Sequence, residues 1–135
     1  MENPETNEEL MFKASLIERH LQEISEKIEY VSQQLLELEE FNKNLKFLKD
    51  AKGKEMFASL GRGIYLKSSC EDKNLFVNVG AGIIVKKTPE ETAEIMKNQI
   101  KNFYEAKSAL MNQLEVYKSM MNQTLAGLNN EQKKN

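Results

Sequence analysis

The residues of this sequence that could do chemistry are few and far apart. There is one histidine, His20, and one cysteine, Cys70, in 135 residues. Acid–base or metal chemistry needs several such groups converging on one point, and no second His, Cys or clustered acid accompanies His20. His20 falls next to an apolar seam on a charged segment, where it is expected to be solvated. Cys70, alone, can form neither an internal disulfide nor a cysteine zinc site, which points to a reducing, intracellular setting. The acidic run Glu37, Glu39, Glu40 reads as a solvated helix face. Two Gly-x-Gly phrases, Gly61-Arg62-Gly63 and Gly80-Ala81-Gly82, invite a phosphate loop. Each leads into a strand, however, and neither extends to Gly-Lys-Ser/Thr or Gly-x-Gly-x-x-Gly. No catalytic constellation, metal site or cofactor is expected, and the chain reads as no enzyme.

What the glycine phrases do organise is a repeat. Leu60-Gly61-Arg62-Gly63-Ile64-Tyr65-Leu66-Lys67 is echoed by Val79-Gly80-Ala81-Gly82-Ile83-Ile84-Val85-Lys86. Glycine reaches positive φ without a Cβ clash, so Gly-x-Gly between apolar runs suits a tight reversal. The flanking runs, rich in Ile, Val, Tyr and Phe, are strand-like. The reading is two β-hairpins in tandem, with strands near 56–60, 64–70, 75–79 and 83–87, and Glu71–Asn74 as the polar turn between them.

The segments on either side are long, charged and written in heptads. From Leu10 a three-four spacing runs through Ala14, Ile17, Leu21, Ile24, Ile28, Val31, Leu35, Leu38 and Asn42 to Leu45. That is a narrow coiled-coil seam, not the wider stripe of a globular helix. Pro4–Glu9 suits the helix start, the apolar face broadens near Phe41, Phe47 and Leu48, and Gly53 suits the stop. Thr88-Pro89-Glu90-Glu91 announces the second helix: a capping threonine, proline at the first helical position, and glutamate three after the cap. Its seam runs Ala93, Met96, Ile100, Phe103, Lys107, Leu110, Leu114, Tyr117, Met121, Thr124, Leu128. Folded back on each other, the two seams mesh at one constant register, pairing Leu10 with Leu128, Ile24 with Leu114 and Leu45 with Ala93. Lys107 falls opposite Val31, where its stem can cover the layer while the ammonium reaches water. Asn42 falls opposite Met96, where the coil gives way to the sheet. Gly127 and the polar end Asn129–Asn135 suggest fraying.

At the open end of this hairpin the positions flanking the seam become apolar. Met11 follows Leu10, Leu125 follows Thr124 on the same edge, Met120 precedes Met121, and Phe12 and Leu16 lie further round. The Ala14–Thr124 layer is thin. Such residues can serve ordinary packing, or can re-pack against varied apolar partners, since methionine is unbranched and polarizable.

Charge excludes other classes. The net is −2, with twelve acids to six bases in 1–50, three to seven in 51–88, and six of each in 89–135. Without a basic stripe, phosphate-backbone binding is not expected; Arg62, Lys67, Lys86 and Lys87 are the only candidates. No apolar run is long enough to span a bilayer, so no membrane partner is expected. The start, Met1-Glu2-Asn3-Pro4-Glu5, is unlike a signal or transit peptide.

Helix, paired hairpins with Leu60-Gly61-x-Gly63 and Val79-Gly80-x-Gly82-x-x-Val85, and Thr88-Pro89 into a second helix: this order resembles the alpha-class subunit of prefoldin. The resemblance covers nearly the whole chain. It implies a mainly α fold, a long antiparallel coiled-coil hairpin with two short β-hairpins inserted between the helices, whose strands assemble into an inter-subunit β-barrel. The chain is then one domain over 1–135, with helix 5–52, hairpins 54–87, helix 88–130 and frayed termini. The implied function is that of an ATP-independent, cytoplasmic holdase chaperone, which captures unfolded polypeptides at coiled-coil tips and hands them to a group II chaperonin. Its partners would be beta-class subunits, in a hexamer of two alpha and four beta. Client-facing positions would be Leu10, Met11, Phe12, Met120, Met121, Leu125 and Leu128. Assembly positions would be Leu60, Ile64, Leu66, Val77, Val79, Ile83 and Val85. The alternative is a structural coiled-coil adaptor, or a filament-forming relative without general holdase activity.

Overall fold

A computed structural model describes residues 5–133. The order is α1 (Asn7–Leu45), a 3-10 segment (Lys46–Asp50), β1 (Glu55–Gly61), β2 (Ile64–Ser69), β3 (Leu75–Gly80), β4 (Ile83–Lys87) and α2 (Pro89–Lys133). Pro4, expected at the first helix start, lies outside the described residues. The start is instead held by a capping box: Glu9 N–H donates to Thr6 Oγ1 at 3.2 Å, and Thr6 N–H to Glu9 Oε2 at 3.3 Å. The second box is the expected one, Glu91 N–H to Thr88 Oγ1 at 3.1 Å and Thr88 N–H to Glu91 Oε1 at 3.4 Å.

Every predicted seam residue of both helices is buried or half-buried, while most positions between them are exposed. Ile17, Leu35, Ile24 and Leu45 are the deepest apolar members. Two buried threonines also sit along α2. Thr92 and Thr124 turn their hydroxyls back on the carbonyls of Thr88 and Met120, each at 2.9 Å, so burial leaves no donor unpaired.

The described chain forms two compact units. One is built from α1 up to Gln34 with α2 from Phe103. Here Leu10 lies against Gly127 and His20 against Tyr117, which makes the pair antiparallel near the expected register. Gly127, read with the polar end as a sign of fraying, lies inside α2. A Cβ there would come within 3.4 Å of Leu10 Cδ1, so the glycine allows close approach, and α2 continues to Lys133.

The other unit runs from Leu35 to Asn102. The first helix does not continue to Asp50 as an α-helix. After Leu45 the backbone tightens, Ala51 N–H donates to Leu48 O at 3.2 Å, and Gly53 takes φ +80°. Gly53 and Cys70 then join backbones (Gly53 N–H to Cys70 O, 2.8 Å; Cys70 N–H to Lys54 O, 3.2 Å), so these residues serve the first hairpin. β1 pairs antiparallel with β2 and β3 with β4, as two separate two-stranded sheets.

The hairpins share one closing device. Each has a register shift just before the turn, with Gly61 opposite Ile64 and Gly80 opposite Ile83. Each turn has positive φ at both central residues: Arg62 (52°) and Gly63 (76°), Ala81 (51°) and Gly82 (74°). Such turns match the right-handed strand twist. In each, the residue two before the first glycine accepts its N–H, from Gly61 to Ser59 Oγ at 3.3 Å and from Gly80 to Asn78 Oδ1 at 2.9 Å.

Candidate functional site

Two apolar surfaces stand out, one in each unit. In the strand unit the register sorts side chains by face. On the first hairpin Phe57 and Tyr65 share one face, and Met56, Ala58 and Leu66 the other. On the second, Phe76 and Ile84 share one face, and Leu75, Val77 and Val85 the other. Leu75, Val77 and Val85 are half-buried, so that face is partly covered. Of the predicted assembly residues, Leu60, Ile64, Leu66, Val79 and Ile83 are all exposed. Phe57, Tyr65, Phe76 and Ile84 join them, reaching 72% exposure at Phe57. These four escaped the sequence reading, although period-two alternation marks them once strand bounds are drawn.

A lone two-stranded hairpin is marginal in water, and burying each large apolar side chain contributes about 1.5–3 kcal/mol. Hairpins apolar on both faces therefore gain most of their stability from a covering surface. Two strand lysines are already paired within the hairpin region, Lys67 Nζ 3.3 Å from Glu55 and Lys86 Nζ 3.2 Å from Asp72. The Asn74 backbone N–H, with help from Lys86, holds the Asp72 carboxyl below its usual range. What the strands offer a partner is chiefly apolar.

In the helical unit the seven predicted client positions divide. Leu10 is buried at 9% exposure, and Met121 and Leu128 are half-buried, because all three are seam residues that each helix needs for the other. Met11, Phe12, Met120 and Leu125 are exposed, as is Leu16. Met120 borders an open cleft of about 210 Å³ with Leu10, Lys13 and Thr124. Exposed apolar residues also continue inward along the helices at Tyr30, Tyr104, Met111 and Val116.

The isolated candidates for chemistry stay isolated. His20 is half-exposed rather than freely solvated; its ring stacks on Tyr117 with centroids 5.1 Å apart, and its Nδ1 lies 3.8 Å from Glu23. Cys70 is buried just beyond β2, with Sγ directed to Asp72 O at 3.5 Å. Lys107 and Asn42 are half-buried, the latter beside Leu45, Pro89 and Ala93 on an open cleft of about 390 Å³. Among the described residues no three His, Cys, Asp or Glu side chains are placed to hold a metal ion, and no helix is long and apolar enough to cross a membrane.

A profile of the prefoldin family, described as "Prefoldin subunit", matches residues 17–134. The chain belongs to the prefoldin family. Among solved structures, prefoldin likeness extends to the filamentous PFD from Methanocaldococcus jannaschii determined by cryo-EM. That chain superposes with a TM-score of 0.74 at 18% identity, covering 84% of this chain and 97% of its own length. At that identity the likeness shows the fold alone. Comparison with curated proteins gives no match. Prefoldin is a non-enzymatic chaperone family whose members form oligomeric complexes, which accords with the two apolar surfaces.

Proposed function

We propose that this chain is an alpha-class prefoldin subunit of an ATP-independent holdase. In this reading the two hairpins join those of other subunits in an inter-subunit β-barrel, with two alpha and four beta subunits in the complex. The exposed residues at the ends of the helical unit capture unfolded polypeptides and pass them to a group II chaperonin. The lone buried Cys70 suits a reducing, cytoplasmic setting.

One observation carries the reading. The strands expose large apolar side chains on both faces, while a separate set of exposed methionine, leucine and phenylalanine residues sits at the helix ends. One surface is suited to permanent burial and the other to reversible contact. Each end offers a weak apolar contact, and several acting on one client raise avidity without a new contact type.

The test is light scattering of a chemically denatured protein diluted into the purified complex. Met11→Asp, Met120→Asp and Leu125→Asp together should abolish suppression of aggregation while the complex keeps its mass. Met121 is left untouched because a charge in the seam would break the helix pair. Unchanged suppression by the triple variant would refute the assignment.

A second reading, self-assembly into filaments, draws on the likeness to the filamentous PFD. The chain expressed alone would then form extended polymers by negative-stain microscopy. Under the main reading it needs beta-class subunits to form a closed particle.

A further inference from the structure

The two sides of the helical unit's seam differ in charge. With seam residues at heptad positions a and d of an antiparallel pair, the e positions of both helices line one flank and the g positions the other. The structure agrees on the g side. Gly127 packs on Leu10, and Lys13, Met120 and Thr124 border one cleft. On the e side lie the exposed Met11, Tyr104, Met111 and Leu125. Four exposed glutamates, Glu8, Glu18, Glu29 and Glu115, stand among and beside them, with Lys118 the one base.

None of these four acids takes part in an ion pair among the described residues. On the g side, by contrast, acids and bases balance. Lys13 pairs with Glu5 at 3.7 Å and His20 meets Glu23 at 3.8 Å. The e flank is thus an apolar stripe bordered by four acids and one base, and none of those acids is ion-paired among the described residues.

We infer that this flank takes client segments in which apolar residues are interspersed with lysine or arginine. The inference rests on the holdase reading above and adds the client's chemistry. Apolar side chains fill the spaces around Met11, Met111 and Leu125, and the intervening cations meet the glutamate border. An acidic segment of equal hydrophobicity meets like charge there and is disfavoured. Such rim charges are solvent-exposed, so each contributes modestly and is weakened by salt. Several acting together give roughly a tenfold preference.

The experiment is fluorescence anisotropy on the full chain in its purified assembly, with two labelled peptides. Both carry the same leucines and phenylalanines, spaced by lysines in one and by glutamates in the other. At about 50 mM salt the lysine peptide should bind roughly tenfold tighter, with the gap closing at about 500 mM. The gap should also close when Glu8, Glu18, Glu29 and Glu115 are all changed to Gln. Those residues are exposed, and circular dichroism checks that the helices persist. Equal binding of the two peptides would overturn the inference and leave the holdase reading standing. A preference that survives the fourfold variant would overturn the assignment to this flank. Binding of neither peptide would overturn both.

Discussion

At the residue scale, the turn into α2 shows how much a few side chains must do. Thr88 caps the helix, donates its hydroxyl to Glu91 Oε1 at 3.1 Å, and accepts the Glu91 N–H. Hydrogen bonds from Thr88 hold the Glu91 carboxyl below its usual value of 4.5, with Lys87 adding a smaller pull. A carboxyl depressed in the folded state contributes above its unfolded pKa, and that contribution is lost as pH falls through the folded value. Loss of the capping hydroxyl in Thr88→Ala should destabilise the protein by about 1 kcal/mol at neutral pH. In urea melts the loss should shrink as pH falls below 4.5 and Glu91 becomes protonated, since the native cap is then already weakened. An equal loss at both pH values would remove the carboxylate from this account.

Elements were legible in the sequence where a pattern repeats. The heptads named all the buried and half-buried seam positions, because a coiled coil has one face and one period. The doubled glycine phrase gave both hairpins, because positive φ at a reversal leaves few residue choices. What escaped notice depends on single contacts. The Thr6–Glu9 box was obscured by the nearby Pro4, and the tightening after Leu45 has no residue signature in a segment still rich in helix formers. Gly127 looked like a sign of fraying, although the seam register, which pairs Leu10 with Leu128, already places Leu10 beside it. Exposure at the proposed client positions was half legible: apolar type was plain, but seam members and flank members alternate within one or two positions. At the element scale, Lys107 is the seam's weak layer, half-buried where its neighbours are apolar. Lys107→Leu should raise stability to urea by about 1–2 kcal/mol. It should also loosen the pairing register, read as new cross-links between cysteines introduced on the two helices. A destabilised variant would mean that the lysine makes contacts its stem alone does not explain.

For the whole molecule, the proposed assembly through the exposed strands would leave the free chain incomplete. Anything that binds only the folded state stabilises it by mass action, so stability should depend on protein concentration. Leu66→Asp with Ile83→Asp places charge on one apolar face of each hairpin. It should reduce the complex to monomers by sedimentation while helical circular dichroism is retained. Hydrogen exchange should then report loss of protection in Glu55–Lys87, with the Ile17–Val31 stretch still protected. Retention of the full mass would show that assembly uses other surfaces.

The hairpins close themselves, each with its own bulge, its own side-chain acceptor for the bulge glycine, and its own reversal. Neither borrows a strand from the other. Such a piece is a self-contained cassette: gene duplication can add a copy, or deletion remove one, without redesigning the neighbouring copy. Architectures with different numbers of hairpins are then separated by a short in-frame event, not by a new fold.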